Sequence, residues 1–402
     1  MRIASFHNAK KYFCVMIRAF KYRLTPTKAQ SGLLDRHISG ARFIYNLALE
    51  TKKMAWAGNR IHLTGYDLSG QLPDLKKECE WLKELNAQSL QQAINNLDRA
   101  YSAFFKGISG FPKYKSKKHK TQSFNIPQRI TVINRKLIIP KFQSGLSMIV
   151  HRPIVGVIRN ATISKTTTGK YFVSILCETG EECKPKPKVV ENRTVGVDLG
   201  IKSFAITSEG QVFENPKFLR KAQSKIKYIQ RKLAKHKGKR TKHKLVLLHE
   251  KVANQRKDFL HKVSSELVKN HDSIAIETLN VEGMLRNHNI ALSIFDAGWG
   301  MFVSMLEYKA KWHGANILRI GQFEPSTKTC SCCGTINKEL TLKDRKWACN
   351  GCGTMHDRDV NAARNIKSFA LKNHVCGAQT KTRNELPTFV GVLTSESVCL
   401  SR

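Results

Sequence analysis

The chain has 402 residues, 69 Lys+Arg against 30 Asp+Glu, a formal net charge of +39 and a pI near 10.0. Hydrophobic residues at 41% and charged residues at 25% allow packed cores and exclude a disordered or fibrous chain, and at roughly 100 to 200 residues per domain the length suggests two or three domains. So large a positive surplus repels itself unless a polyanion neutralises it, which points to nucleic acid; an anionic membrane would require a basic amphipathic helix with lipid-facing Trp or Phe, and none is found.

Residues 1–15, MRIASFHNAKKYFCV, lack the apolar core and small-residue cleavage site of a secretory signal. No run approaches the ~18 consecutive apolar residues of a transmembrane helix. An intracellular location and no membrane partner are therefore expected. From Met16 to Leu24 the sequence alternates, with Phe20, Tyr22 and Leu24 on one face and Lys21 and Arg23 on the other, which predicts a half-buried strand. Thr25-Pro26 then supplies a helix N-cap and first-turn proline. From about 27 to 109 the pattern is helical, with Leu90, Ile94, Leu97, Tyr101 and Phe104 forming one apolar stripe.

After GFPKYKSKKHK the period returns to two. ITVINRKLIIP carries a turn at Asn134-Arg135, and ATISKTTTGKYFVSILCE reads as two strands around Thr168-Gly169-Lys170. These segments predict a small β-barrel interrupted by helices, and the Pro- and Lys-rich 183–193 a linker. TVGVDLGIKSFAITSEGQVF reads as three strands with a turn at Glu209-Gly210. Residues 217–262 hold seventeen Lys+Arg against two acids on two apolar-striped helices, Ile226, Ile229 and Leu233 marking one and Leu245, Leu248 and Val252 the other. A solvated helix pair is one reading; phosphate contact is the stronger one. A strand SIAIET, a loop, a helix around Trp299–Trp312, a strand NILRIG and a helix from Val360 to Leu371 complete the predicted elements. The last thirty residues show no periodicity.

Five of the eleven cysteines fall within 23 residues, in the pattern CxxCG, a spacer, CxxCG. Cys330, Cys333, Cys349 and Cys352 have the spacing of a tetrahedral Zn²⁺ site in which each glycine permits a tight knuckle. Cys332 precedes no glycine and is read as a bystander. Four protein ligands leave no open position, so this zinc is structural. Three acids interrupt otherwise apolar sequence: Asp198 in VGVDLG, Glu277 at the end of SIAIE, and Asp359 in HDRDVNAARN. Each has a plain alternative, as turn former, surface ion-pair partner or helix cap. Together they suit hard oxygen ligation of two Mg²⁺ about 4 Å apart for phosphodiester hydrolysis.

VGVDLGIKSFA, QRKDFLHK, IAIETLN, ALSIFDAGWGMF, PSTKTCSCCG and CNGCGTMHDRDVNAARNI, in this order, resemble the TnpB proteins of insertion sequences, compact relatives of the type V CRISPR effectors. MIRAFKYRLTPTKAQ and SLQQAINNLDRAYSAFF extend the resemblance, which runs from about Met16 to about Leu371. It implies a guide RNA and double-stranded target DNA as partners, and a RuvC-like, RNase H-like endonuclease whose catalytic acids are Asp198, Glu277 and Asp359 rather than Asp357. All three positions hold the expected acid, against a nuclease-dead RNA-guided repressor.

The implied architecture is α/β plus β: an N-terminal extension (1–15), a wedge β-barrel (16–25 and 110–182), a helical recognition insertion (26–109), the linker, a nuclease domain (194–325 and 354–372), a zinc module (326–353) and a mobile tail (373–402). Gln91 matches the family's readout helix and is able to bond adenine in two places, although a solvated face reads equally well. Arg42, Tyr45 and Asn46 are further candidates, Tyr45 also reading as core. On the basic helices Lys225, Arg231, Lys232, Arg240, Arg256 and Lys257 are expected to meet RNA or heteroduplex. The resemblance further implies action in the prokaryotic cytoplasm and nucleoid. A monomer within the ribonucleoprotein is preferred while the oligomeric state stays open. The rivals are a non-catalytic RNA- and DNA-binding regulator and a strand-transferring transposase.

Overall fold

The computed structural model describes residues 15–118, 121–182, 184–322, 324–341 and 343–377, and side chains from residue 16 through residue 374 within those segments except at 121. Residues 1–14 of the expected extension 1–15, and residues 378–402 of the expected tail, lie outside the described residues. The chain divides into two compact units, Met1–Lys184 with Ala222–Asn254, and Pro185–Lys221 with Gln255–Arg402.

In the first unit β1 (Val15–Leu24) buries Phe20, Tyr22 and Leu24 as its alternation predicts. The helix that follows, α1 (Lys28–Asn59), is capped two residues later than expected. Thr27, not Thr25, accepts from the Gln30 amide at 3.3 Å, while the Gln30 side chain accepts from the Thr27 amide at 3.0 Å. Both threonines are cap formers, and only Thr27 has a glutamine three residues on to close the box. Two short helices, α2 (Gly65–Gly70) and α3 (Leu72–Glu78), and a 3₁₀ turn at Glu80–Glu84 lead to α4 (Ala87–Phe105). Leu90, Ile94 and Leu97 of its stripe are buried. On α1, His37 packs its ring against Phe124 and Phe142.

The strands β2 (Thr121–Ile126), β3 (Thr131–Ile133), β4 (Lys136–Ile139), β5 (Phe142–Ile149), β6 (Val157–Thr166) and β7 (Tyr171–Glu182) join β1 in one seven-stranded antiparallel sheet, order β2-β6-β7-β1-β5-β4-β3. The β3–β4 turn has both Asn134 and Arg135 at positive φ, 48° and 59°, the mirror-type turn whose twist suits a two-residue hairpin. The helices are inserted between β1 and β2, and one apolar core joins them to the sheet.

The second unit opens with a meander, β8 (Thr194–Leu199), β9 (Ser203–Thr207) and β10 (Val212–Glu214). The basic helices α5 (Phe218–Lys235) and α6 (Lys239–Asn270) follow. Their residues 222–254, expected within a nuclease domain spanning 194–325, group instead with the first unit. One physical reason is Glu250, which accepts from Lys170 Nζ at 2.7 Å and Thr168 Oγ1 at 3.0 Å at the β6–β7 hairpin. Next come β11 (Ser273–Glu277), α7 (Val281–Leu285), α8 (His288–Ala297), α9 (Trp299–His313) and β12 (Asn316–Ile320). The hairpin β13 (Lys346–Ala348) and β14 (Met355–Asp357) precedes α10 (Arg358–Gly377).

The stretch expected to be a loop after β11 therefore contains α7 and α8. Asn287 caps α8, accepting from the Asn289 amide, and Gly298 ends it at φ 72°. The stretch His288–His313, with mean hydropathy 1.3, is long and apolar enough by composition to span a bilayer, against expectation. It breaks at Gly298, and Ile294, Trp299, Phe302 and Leu306 lie in the core. The final helix also runs on to Gly377, past the expected start of the tail at 373.

The five-stranded sheet has the order β10-β9-β8-β11-β12, with β8–β11 and β11–β12 parallel. Strand parity divides its faces. Val195, Val197, Ile274 and Ile276 join the core shared with α8, α9 and the second half of α6, while Ala275 joins Ile366 and Ala370 of α10 on the other face. At Gly196 this helix approaches the sheet so closely that a Cβ would collide with the Ala363 carbonyl oxygen and lie 2.8 Å from the Lys367 nitrogen.

Candidate active site and metal centre

Two of the three singled-out acids lie at the C-terminal ends of adjacent parallel strands, Glu277 as the last residue of β11 and Asp198 as the next to last of β8. Val197 pairs with Ile276, and the next residue of each strand is the acid, Asp198 on β8 and Glu277 on β11. Parity aims both toward the α10 face, with Gly196 and Ala275. Asp359 arrives from the first turn of that helix. Asp357 is its cap: one carboxylate oxygen accepts from the Asp359 and Val360 amides, each at 3.1 Å. Asp357 thus holds the turn, and the neighbouring carboxylate is left to face the sheet acids.

Glu277 and Asp359 act electrostatically on Asp198. Burial, then the negative charges of Glu277 and Asp359, push the Asp198 carboxyl from 3.8 to about 7, against the opposing pull of Arg358 and Arg345. Ionising it costs about 4 kcal/mol more than in water. Asp359 accepts from Arg345 Nη1 at 2.9 and 3.2 Å and from Arg358 Nε and Nη2 at 3.1 and 3.0 Å. Glu277 accepts from Ser326 Oγ at 2.5 Å. Carboxylates are hard oxygen donors suited to divalent cations, although two guanidiniums already hold Asp359 and, among the described residues, only cysteine-containing groups bring three or more donor atoms within 4.8 Å of one another.

The four predicted thiols form the tighter cluster. The sulfurs of Cys330, Cys333, Cys349 and Cys352 all lie within 4.8 Å of one another, the Cys333–Cys349 and Cys330–Cys352 pairs at 3.5 and 3.7 Å. Each knuckle closes the same way: the Gly334 amide donates to Cys330 O at 2.9 Å and the Gly353 amide to Cys349 O at 2.8 Å, with both glycines at positive φ. Hydrogen bonds from Thr335 hold the Cys333 thiol down near about 6, those from Thr354 lower Cys352, and burial pushes Cys330 up to about 12. Four sulfurs drawn together by amides and hydroxyls fit tetrahedral zinc with no open position. Cys332 is exposed, but it forms a second possible donor group with Cys330 and His356, whose Nε2 is 3.0 Å from Cys330 Sγ.

The candidate nucleic-acid residues separate by burial. Gln91, Lys225, Arg231, Lys232, Arg240 and Lys257 are exposed. Four others have partners inside the protein. Tyr45 is core, 5% exposed. Asn46 uses both ends of its amide on the Lys115 backbone, at 2.9 and 2.7 Å. Arg42 donates to Gln122 and Ser39. Arg256 is buried against Asp296 and the Phe295 ring, which removes it from the expected phosphate contacts. Asp296 itself was missed, although an acid within the apolar run SIFDAGW carries the same signal that singles out Asp198. Lys309 is buried too, and its ammonium donates to His261 O, Ser264 Oγ and Ser265 Oγ; flanked by Glu307 and Lys311, it gives no such signal in the sequence.

Comparison with known proteins bears on these arrangements. Residues 16–60 match a family described as "Helix-turn-helix domain", 174–288 one described as "Probable transposase" and 299–366 the "Cas12f1-like, TNB domain". A Streptomyces pristinaespiralis protein named "Putative RNA-guided DNA endonuclease" is 36% identical over 378 residues, covering 92% of this chain and 93% of its own. The chain belongs to the TnpB family. A second TnpB relative, "Putative RNA-guided DNA endonuclease InsQ" of Escherichia coli (strain K12), is 30% identical and covers 92% of this chain and 96% of its own. Among solved structures, the Cas12f1 chain of a complex with sgRNA and target DNA aligns with this TnpB chain at a TM-score of 0.53 and 17% identity, over 85% of this chain and 83% of that one. The fold is thus Cas12f1-like, and a four-cysteine cluster accompanies it.

Proposed function

We propose that this TnpB-family chain is an RNA-guided DNA endonuclease of a transposable element. It binds a guide RNA, reads a short motif beside the target and cuts double-stranded DNA at a site built from Asp198, Glu277 and Asp359. The observation that carries the nuclease reading is that burial, together with the negative charges of Glu277 and Asp359, raises the Asp198 carboxyl to about 7. The RNA guide and DNA target come from the relatives' names, since two of them match over more than nine-tenths of this chain.

A meander followed by two parallel strands, with a helix across the face that bears the acids, supports an RNase H-like, RuvC-type assignment for the second unit. The seven-stranded sheet with helices inserted after its first strand supports a wedge barrel carrying a recognition insertion. There Gln91 is a candidate for motif readout, and the exposed cations of α5 and α6 are candidates for backbone contact.

Asp198, Glu277 and Asp359 would hold two Mg²⁺, and bound ions of this kind supply an activated water and neutralise charge on the scissile phosphate. The protein's own contribution is placement. Adjacent strand ends set the spacing of Asp198 and Glu277, and the Asp357 cap sets the first turn that carries Asp359. Arg345 and Arg358 orient the Asp359 carboxylate. Cys330, Cys333, Cys349 and Cys352 would hold one structural zinc next to that turn in sequence.

The test is cleavage of motif-flanked duplex by the purified ribonucleoprotein in Mg²⁺. Asp198→Ala, Glu277→Ala and Asp359→Ala should each abolish cutting while RNA and target binding persist; a variant that still cuts removes that residue from the site.

A further inference from the structure

Two buried asparagines on α10 connect the zinc knuckle to the acids. Asn361 and Asn365 are one turn apart and 1% and 3% exposed. Asn361 accepts from the Ser331 amide at 2.9 Å through Oδ1, inside the first CxxC knuckle, and donates through Nδ2 to the Thr329 carbonyl at 2.7 Å. Asn365 Nδ2 donates to the same carbonyl at 2.6 Å and to the Ser326 carbonyl at 2.7 Å. The Ser326 hydroxyl in turn donates to Glu277 at 2.5 Å. Ser326 and Thr329 are themselves 3% and 8% exposed.

The three inner links are hydrogen bonds between buried groups, and the two end links, to the Ser331 amide and to Glu277, are partly buried. The buried links cannot exchange their partners for water, so they fix the separation of the elements they join. At one end stands the backbone between two metal-ligating cysteines, at the other a carboxylate of the proposed active site. The helix that carries both asparagines also carries Asp359 in its first turn. The metal clusters are separate, but their supports are shared.

We infer that Asn361 and Asn365 are positioning residues that couple the zinc knuckle to the carboxylate site, so that zinc occupancy sets how tightly Asp198, Glu277 and Asp359 bind divalent cations. This rests on the carboxylate site proposed above. The asparagines touch neither cation. Asn361 holds the knuckle to α10, Asn365 holds α10 to the 326–329 segment, and Ser326 passes that position to Glu277.

The experiment titrates Mn²⁺ into the full-length, RNA-free, zinc-loaded chain and follows bound ion by electron paramagnetic resonance. Wild type should show binding that Asp198→Ala removes. Asn361→Ala, Asn365→Ala and Ser326→Ala should each weaken it about tenfold, the usual effect of losing an outer partner of a metal ligand, with zinc content still one per chain. Ser326→Ala guards against misfolding, because Asn365 bonds the Ser326 carbonyl and keeps that contact. Stripping zinc should weaken Mn²⁺ binding in wild type and do so much less in Asn361→Ala/Asn365→Ala, since the connection is already cut. Wild-type Mn²⁺ affinity in the zinc-loaded single variants, or an equal zinc effect in wild type and the double variant, overturns the coupling and leaves the active-site reading intact. No Asp198-dependent Mn²⁺ site in wild type overturns both.

Discussion

Arg256 and Asp296 form an ion pair inside the second unit, with Nη2 3.7 Å from Oδ1 and side chains only 8% and 4% exposed. Asp296 has further partners at the start of α5, where it accepts from the Leu219 and Arg220 amides at 2.9 and 3.1 Å. One carboxylate from the end of α8 therefore caps α5 and balances a guanidinium of α6. Removing the acid strands a buried cation. Asp296→Ala should cost about 3 to 5 kcal/mol, read as a lowered urea midpoint of the full chain. The double substitution Arg256→Met/Asp296→Leu should recover much of that loss, because no charge is then left buried without a partner.

Gly196 is where α10 comes closest to β8. A side chain there meets helix backbone rather than a flexible side chain, so the helix has to move. Gly196→Val should lower stability by about 1 to 3 kcal/mol and weaken Mn²⁺ binding, since Asp198 and Asp359 sit on the two elements pushed apart. Thermal melting and the Mn²⁺ titration check the two effects separately.

His37 gives the first unit a defined acid sensitivity. Its Nδ1–H donates to Leu33 O at 2.9 Å and its Nε2 accepts from the Asn86 amide at 3.1 Å, which requires the neutral ring. Burial, then the charges of Lys141 and Arg36, lower its pKa below 6.5 despite the Leu33 bond. The unfolded chain takes up the proton first as pH falls through 6.5, so the stabilisation is full above that value and declines toward the lower folded pKa. Urea midpoints between pH 7.5 and 5 should fall more steeply for wild type than for His37→Gln.

Zinc removal should act locally before it acts globally. The 330–352 knuckles have a small core of Cys330, Leu340, Trp347 and Cys349, too little to hold them without the metal. Chelation should expose Trp347, seen as a red-shifted emission, while the seven-stranded sheet of the first unit persists by circular dichroism.

Asp198 predicts the pH response of the proposed active site. With its carboxyl near about 7, a divalent ion has to displace a proton below that pH and none above it. Mn²⁺ affinity should therefore rise with pH through 6 to 7.5 and level off, and the rise should be absent in Asp198→Asn.

Much of this was legible before any fold was known because it depends on local spacing. The alternation of Phe20, Tyr22 and Leu24, the Asn134-Arg135 turn and the two CxxCG pairs are each set by backbone geometry over a few residues. The acids were visible because carboxylates are costly in apolar strands. Alternating parity and the later arrival of α10 were needed to aim them at one another. The same sequence signals misled where exposure mattered. Arg256 lies in a run of cations and reads as a phosphate contact, yet Asp296, forty residues on, buries it. Asn46 reads as a free amide until Lys115 takes both its ends. The region 281–297 reads as a loop until its caps and core partners are in place.

The sequence by itself determined the charge, the knuckle spacing, the strand periods and the family resemblance, since all of these are properties of neighbours along the chain. Tertiary structure alone decided which cations face solvent, which acids repel one another, and that Asn361 and Asn365 reach from helix to knuckle. Burial and long-range hydrogen bonding depend on residues brought together from distant parts of the chain, and no local pattern encodes that meeting.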